Sequence, residues 1–196
     1  MTDIIKGRKT MKVAVLVGSL RRESFSRKTA KTLVALAPAS LMLEIVEIGN
    51  LPLYNQDGDD DGKPPIQWTT FRKRIKEYDG VIFVTPEYNR SVPAVLKNAI
   101  DVGSRPYGQS VWAGKPGAIV SVSPGAIGGF GANHHLRQSL VFLDMPAMQQ
   151  PEAYIGGAAN LFDAEGKMSN ESSREFLRKF IAAFEVWLRT NAASIS

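Results

Sequence analysis

Three short stretches concentrate the residues that could do chemistry, and each directly follows an apolar run. The first is Gly18-Ser19-Leu20-Arg21-Arg22-Glu23-Ser24-Phe25-Ser26. Its glycine permits a tight turn, the hydroxyls of Ser19, Ser24 and Ser26 can donate hydrogen bonds, and Arg21 can add a charge-assisted one. Placed ahead of a helix, whose first amides are unpaired and whose dipole end is positive, such a stretch makes an anion site. One serine would be an ordinary helix cap; three around an arginine point to a phosphate. The stretch has neither the G-x-x-x-x-G-K-[ST] of a P-loop nor the G-x-G-x-x-G of a dinucleotide fold.

The second stretch is Thr85-Pro86-Glu87-Tyr88-Asn89-Arg90-Ser91-Val92-Pro93. Two prolines stiffen it and so fix the directions of its backbone groups. Fixed amides suit a planar heterocycle with alternating donors and acceptors, and Tyr88 adds an aromatic surface. Taken alone, a rigid turn with its tyrosine packed on the core accounts for the loop equally well. The third stretch, Ser121-Val122-Ser123-Pro124-Gly125-Ala126-Ile127-Gly128-Gly129-Phe130-Gly131, has enough glycine for a flat ligand to lie against bare backbone. A helix after it would aim its N-terminus at the same pocket and favour negative charge there.

Other chemistries are excluded or disfavoured. The chain has no cysteine, which removes disulfides, thiolate nucleophiles and cysteine metal sites. His134 and His135 are neighbours, so on a helix they diverge by about 100° and cannot chelate as an i, i+4 pair would. The acidic group Asp57, Asp59, Asp60 and Asp61 lacks the closing glutamate of a calcium loop and reads as a solvated loop. No metal site is expected.

The elements that must position these loops alternate as βαβ units do. Strands are expected at Lys12–Val17, Met42–Ile48, Gly80–Thr85 and Gly117–Val122, with a fifth around Ala147–Ile155. Helices are expected at Ser26–Ala37, around Trp68–Tyr78, at Pro93–Asp101, at Ala132–Leu143, and from Ser172 with a capping box to Glu175. Gly49–Pro65 is left as one long connection. Five strands alternating with five helices give an α/β, doubly wound, five-stranded parallel sheet with helices on both faces. In such sheets ligands bind beyond the carboxyl ends of the strands, which is where all three loops fall.

Composition agrees with a soluble globular domain: 196 residues, 44% hydrophobic and 22% charged. No run approaches the roughly 18 apolar residues of a membrane span, and Met1–Thr10 lacks the apolar segment of a secretory signal. A cytoplasmic location is therefore expected, without membrane association. The net charge is +5, but Lys6, Arg8, Lys9 and Lys12 against Asp3 supply most of it. Residues 1–10 read as a flexible basic tail and 11–196 as a single domain. No basic run marks a nucleic-acid groove.

The ordered set of Gly18-Ser19-Leu20-Arg21 with Ser24 and Ser26, Pro86-Glu87-Tyr88-Asn89, Lys97-Asn98-Ala99-Ile100-Asp101, Gly114-Lys115-Pro116 and the Ser123–Gly129 loop resembles the NADPH-dependent FMN reductase family. Within it the chain is most similar to bacterial chromate and quinone reductases. The resemblance covers essentially residues 11–196 and implies a flavodoxin-like fold with bound FMN. It implies that Ser19, Arg21, Ser24 and Ser26 hold the FMN phosphate. It further implies that Pro86, Glu87, Tyr88 and Asn89 embrace the isoalloxazine and that Ser123, Pro124, Gly125 and Gly128 approach its other edge. The implied activity is ping-pong transfer of electrons from NADH or NADPH to quinones, chromate or similar small oxidised acceptors. The flavin carries the chemistry, so no catalytic side chain is needed. Homodimers or homotetramers are the implied assemblies. Rival readings are a flavodoxin-type electron carrier, which the basic Arg21, Arg22, Arg27 and Lys28 disfavour, and a flavin-sensing binding module.

Overall fold

A computed structural model of the chain describes residues 9–192; residues 1–8 of the basic segment lie outside the described residues, as do 193–196. The sheet has five parallel strands, β1 (Met11–Val17), β2 (Leu41–Val46), β3 (Gly80–Thr85), β4 (Gly117–Val122) and β5 (Ala153–Ile155), in the order β2-β1-β3-β4-β5. The three central strands are almost wholly buried, β3 and β4 at every residue, as their unbroken apolar runs require. Edge strand β2 alternates instead, with Met42 and Glu44 facing water.

Alternate residues feed two cores. Val13, Val15, Val17, Ile82, Val84 and Val120 face α1 (Phe25–Leu36) and α6 (Glu171–Ala192), meeting Leu33, Phe180 and Phe184. Ala14, Leu16, Val81, Phe83 and Ile119 face α3 (Ile66–Lys76), α4 (Ala94–Gly103) and α5 (Phe130–Phe142), meeting Trp68, Phe71, Leu96 and Leu136. This is the flavodoxin-like, doubly wound arrangement that the sequence predicts.

Four expectations change. The connection 49–65 contains a short helix, α2 (Gln56–Asp60), making six helices. The acidic cluster is not uniformly solvated: Asp59 is buried in a bidentate pair with Arg72, both bonds 2.7 Å. The fifth strand is three residues long; Ala147 makes an isolated bridge to Gly117, and Pro146 and Pro151 cannot donate to a ladder between them. Helix α6 begins at Glu171, and its cap is Asn170, whose Oδ1 accepts from Ser173 N at 2.9 Å. Glu175 pairs with Arg178 rather than closing a capping box.

Candidate functional site

The right-handed βαβ crossovers return each chemistry-bearing loop to the carboxyl edge of the sheet. Loop 18–24 leaves β1 with Gly18 N donating to Val84 O at 2.9 Å, which fixes the turn to the neighbouring strand. A Cβ on Gly18 would come 3.1 Å from Pro93 Cγ and 3.2 Å from Pro86 Cδ. The first loop therefore packs directly on the second, and a larger residue at 18 would press on both prolines.

Ser19, Ser24 and Ser26 are all buried, between 2% and 5% exposed. Ser24 is the cap of α1, accepting from Arg27 N at 3.1 Å. Among the described residues the hydroxyls of Ser19 and Ser26 make no hydrogen bond to the chain and keep contact with solvent; the sealed side-chain oxygens that lack a partner are Thr29 Oγ1 and Tyr54 Oη. Arg27 N is taken by the cap, while the amides of Phe25 and Ser26, at the very start of α1, have no intrahelical acceptor. Arg21 is exposed and forms no ion pair among the described residues. Two hydroxyls and two amides without partners in the chain and an exposed guanidinium thus lie along one short stretch, a donor set of the kind an anion requires.

Arg27 and Lys28 do not share that role. Arg27 makes a bidentate pair with Glu47 at 2.7 Å, a contact that holds the Glu47 carboxyl below its usual range. Lys28 pairs with Glu23 at 2.7 Å. Both line a groove of about 590 Å³ on the outer flank of α1, shared with Lys31, Lys167 and Arg174. This groove borders the first loop at Ser24 and includes no residue of the second or third loop.

The second loop is rigid for reasons beyond its prolines. Tyr88 and Ser91 exchange backbone bonds of 3.1 and 2.9 Å, and Asn89 and Arg90 turn between them with φ of 50° and 64°. Thr85 Oγ1 donates to Pro86 O at 2.7 Å. Tyr88 is half exposed and not packed on the core. The Glu87 side chain turns away from solvent: its Oε2 accepts from Ala132 N, in the first turn of α5, at 3.0 Å. The α5 amides are therefore not all free to face a ligand, because the protein's own carboxylate takes one of them. His134 pairs with Tyr154 Oη and His135 with Ser91 Oγ, each at 2.9 Å. Burial, aided by Glu152, pushes the Tyr154 phenol up to about 12, so it stays protonated.

The third loop is pinned to β5. Ser123 N donates to Ile155 O, Ala158 N to Ser123 O, and Ser123 Oγ accepts from Gly125 N at 3.1 Å. Pro124 and Gly125 are exposed beyond this turn. Gly128 has φ of 60°, and a Cβ there would lie 2.6 Å from Tyr154 C, so no other residue fits. Sequence reasoning missed two supports of this edge. Asn133, fully buried, donates to Ser121 Oγ at 3.3 Å, and Asn98 fastens the 49–54 segment through Tyr54 N, Leu51 O and Pro52 O. Asn98 stands in the Lys97–Asp101 motif, where a polar residue on an otherwise apolar helix face was the available signal.

Among the described residues there is no cluster of potential metal ligands and no helix long and apolar enough to cross a membrane. The model of the NADPH-dependent FMN reductase family matches residues 11–160. A quinone reductase of Pseudomonas putida is 66% identical over 181 residues, 92% of this chain and 96% of that protein. A 2-hydroxy-1,4-benzoquinone reductase of a Burkholderia species is 49% identical over 91% of this chain and 97% of its own length. Among solved structures, the flavoenzyme NAD(P)H:(acceptor) oxidoreductase FerB of Paracoccus denitrificans superposes with a TM-score of 0.85 at 41% identity, covering 92% of this chain and 98% of that one.

Proposed function

The chain belongs to the NADPH-dependent FMN reductase family, and from that premise we propose that it is an NAD(P)H-dependent, FMN-containing reductase of quinones. The observation that carries the reading is the donor set ahead of α1: the Ser19 and Ser26 hydroxyls, which no hydrogen bond to the chain engages, and the exposed Arg21, which forms no ion pair among the described residues. FMN fits this donor set, since it brings one terminal phosphate to one phosphate-shaped nest. Ser19, Ser24, Ser26 and Arg21 hold that phosphate, with the α1 amides and dipole adding to the attraction.

Pro86, Glu87, Tyr88 and Asn89 take one edge of the ring and Ser123, Pro124, Gly125 and Gly128 the other. The second loop works through backbone, because the Glu87 carboxylate is already committed within the protein, while Ser123 Oγ accepts from Gly125 N and keeps its proton to donate. Bound there, FMN supplies two-electron transfer between a nicotinamide and an acceptor. The chain's part is to bind, to orient and to leave one face open. Tyr88, Ile127 and Phe130, at least half exposed on the second and third loops and the start of α5, offer that face an aromatic and aliphatic border suited to a quinone ring.

No second nucleotide motif is present in the sequence. The nicotinamide and the acceptor therefore occupy the open face in turn, which is a ping-pong cycle. Chromate and similar oxyanions are further acceptors, attracted by the net positive charge of the chain. We place this single-domain unit, residues 11–196, in the cytoplasm as a homodimer or homotetramer.

The test is anaerobic titration of the FMN-loaded protein with NADPH and NADH, followed by steady-state kinetics with a quinone. Bleaching by the nicotinamide alone and parallel double-reciprocal lines are expected. A flavin that NAD(P)H does not bleach would identify a carrier or sensor instead. Intersecting lines would replace ping-pong with a ternary complex.

A further inference from the structure

Glu87 is a negatively charged side chain, 12% exposed, placed where a helix N-terminus meets the second loop. Its closest cation, Arg90, is 3.7 Å away and itself 76% exposed, so the charge is answered chiefly by the α5 amide. Around this contact the two segments are fitted to each other. A Cβ at Gly131 would lie 2.8 Å from Arg90 O and 3.0 Å from Glu87 Oε2. Four residues further along α5, His135 Nδ1 meets Ser91 Oγ at 2.9 Å. The left-handed Asn89 and Arg90 fold the loop so that Glu87 and Ser91 reach the same helix together. Three contacts on one turn and a half of α5 therefore clasp the second loop to the element that follows the third.

We propose that Glu87 is a positioning residue for the flavin: it sets the gap between the two loops that take the ring's edges, and it offsets the α5 dipole that would otherwise act on the ring unopposed. This rests on the FMN reading above. The first effect is geometric. Without the carboxylate, Ala132 N loses its acceptor and the second loop is held to α5 by the single His135–Ser91 contact. The second is electrostatic. A helix N-terminus stabilises added negative charge nearby, and a carboxylate seated on it opposes that stabilisation. Glu87 thereby keeps the bound flavin a readier donor than bare α5 would make it.

Two substitutions separate the effects. Glu87→Gln keeps an oxygen acceptor for Ala132 N and removes the charge; Glu87→Ala removes both. FMN affinity of the apoprotein, the reduction potential of the bound flavin, and thermal unfolding without FMN are measured for each. In Glu87→Gln the FMN dissociation constant should stay within about threefold. Its potential should rise, corresponding to about tenfold tighter relative binding of the reduced form, or about 30 mV for two electrons. Glu87→Ala should add at least a tenfold loss of FMN affinity. A potential unchanged in Glu87→Gln overturns the electrostatic part even if Glu87→Ala fails to fold. FMN affinity unchanged in a folded Glu87→Ala overturns the positioning part. A wild-type protein that takes up no FMN would instead overturn the reading on which the proposal stands.

Discussion

The loop after β1 and the connection between β2 and α3 look alike as sequence: both are polar, glycine-containing and studded with charge. In the structure they are opposites. Residues 49–65 tie several of their polar groups into the fold, although Tyr54 Oη is sealed without a partner. Arg72 donates through Nε to Val102 O and through both terminal nitrogens to Asp59, Trp68 Nε1 donates to Pro52 O, and Asn98 serves three backbone groups. Residues 18–26 leave Ser19, Ser26 and Arg21 without such partners among the described residues. A polar loop whose side chains are spent on the fold is architecture; one that keeps hydroxyls and a guanidinium open to a ligand is a candidate site. A cavity does not by itself make this distinction, since two of the cations bordering the α1 groove, Arg27 and Lys28, are already paired with Glu47 and Glu23.

The largest test of this contrast is Arg72→Met. It strands the Asp59 carboxylate, 4% exposed, and should cost about 3–5 kcal/mol of stability by urea unfolding of the apoprotein. FMN affinity of the fraction that stays folded should be unaffected. Arg21→Ala should do the reverse, weakening FMN binding by about 1.5–3 kcal/mol in a fluorescence titration. Its apoprotein stability should shift by no more than about 0.5 kcal/mol. Swapped outcomes would mean that the two loops have exchanged roles.

A smaller effect is expected with pH. The Arg72 hydrogen bonds hold the Asp59 carboxyl below its usual range. A group depressed on folding adds stability above its unfolded pKa, about 3.9, and loses it as pH falls through the lower folded value. Unfolding free energy should therefore drop on acidification below about pH 4 in wild type, and less steeply in Asp59→Asn. Equal slopes would show that the pair carries no linked stability. Smallest of all, Lys31→Glu with Lys167→Glu in the α1 groove should change FMN affinity by less than about twofold at physiological salt, where exposed charges a Debye length apart are screened. A larger loss would extend the site into the groove.

Much of the sheet was legible because its determinants are local. Lys12–Val17, Gly80–Thr85 and Gly117–Val122 are continuous apolar runs, and the positions of all three ligand loops follow from their ends. What escaped depends on partners distant in sequence. Asp59 is indistinguishable from Asp60 and Asp61 until Arg72 is placed beside it. The α5 terminus looked free because Glu87, which takes its amide, lies 45 residues earlier. Asn170 and Ser172 are both good caps, and side-chain geometry alone chose between them. The assignment of Ser19, Arg21 and Ser26 as an anion site rested on residue types crowded into one turn. The structure adds that these groups have no other engagement.

Helix α6 has a consequence for how the protein is made. It is the last described element, and its Leu177, Phe180, Ile181, Phe184 and Leu188 close the core over one face of the sheet. All five strands and the other five helices precede it. As the chain leaves the ribosome, the face roofed by α3, α4 and α5 can be completed while Val13, Val15, Ile82, Val84 and Val120 have α1 as their sole helical cover. The nascent protein therefore passes through a half-roofed stage in which a strip of β-branched residues is open to water and to other chains. Synthesis halted before residue 171 would release a polypeptide carrying the whole ligand edge yet prone to coagulate, a natural client for chaperones that shield apolar surface.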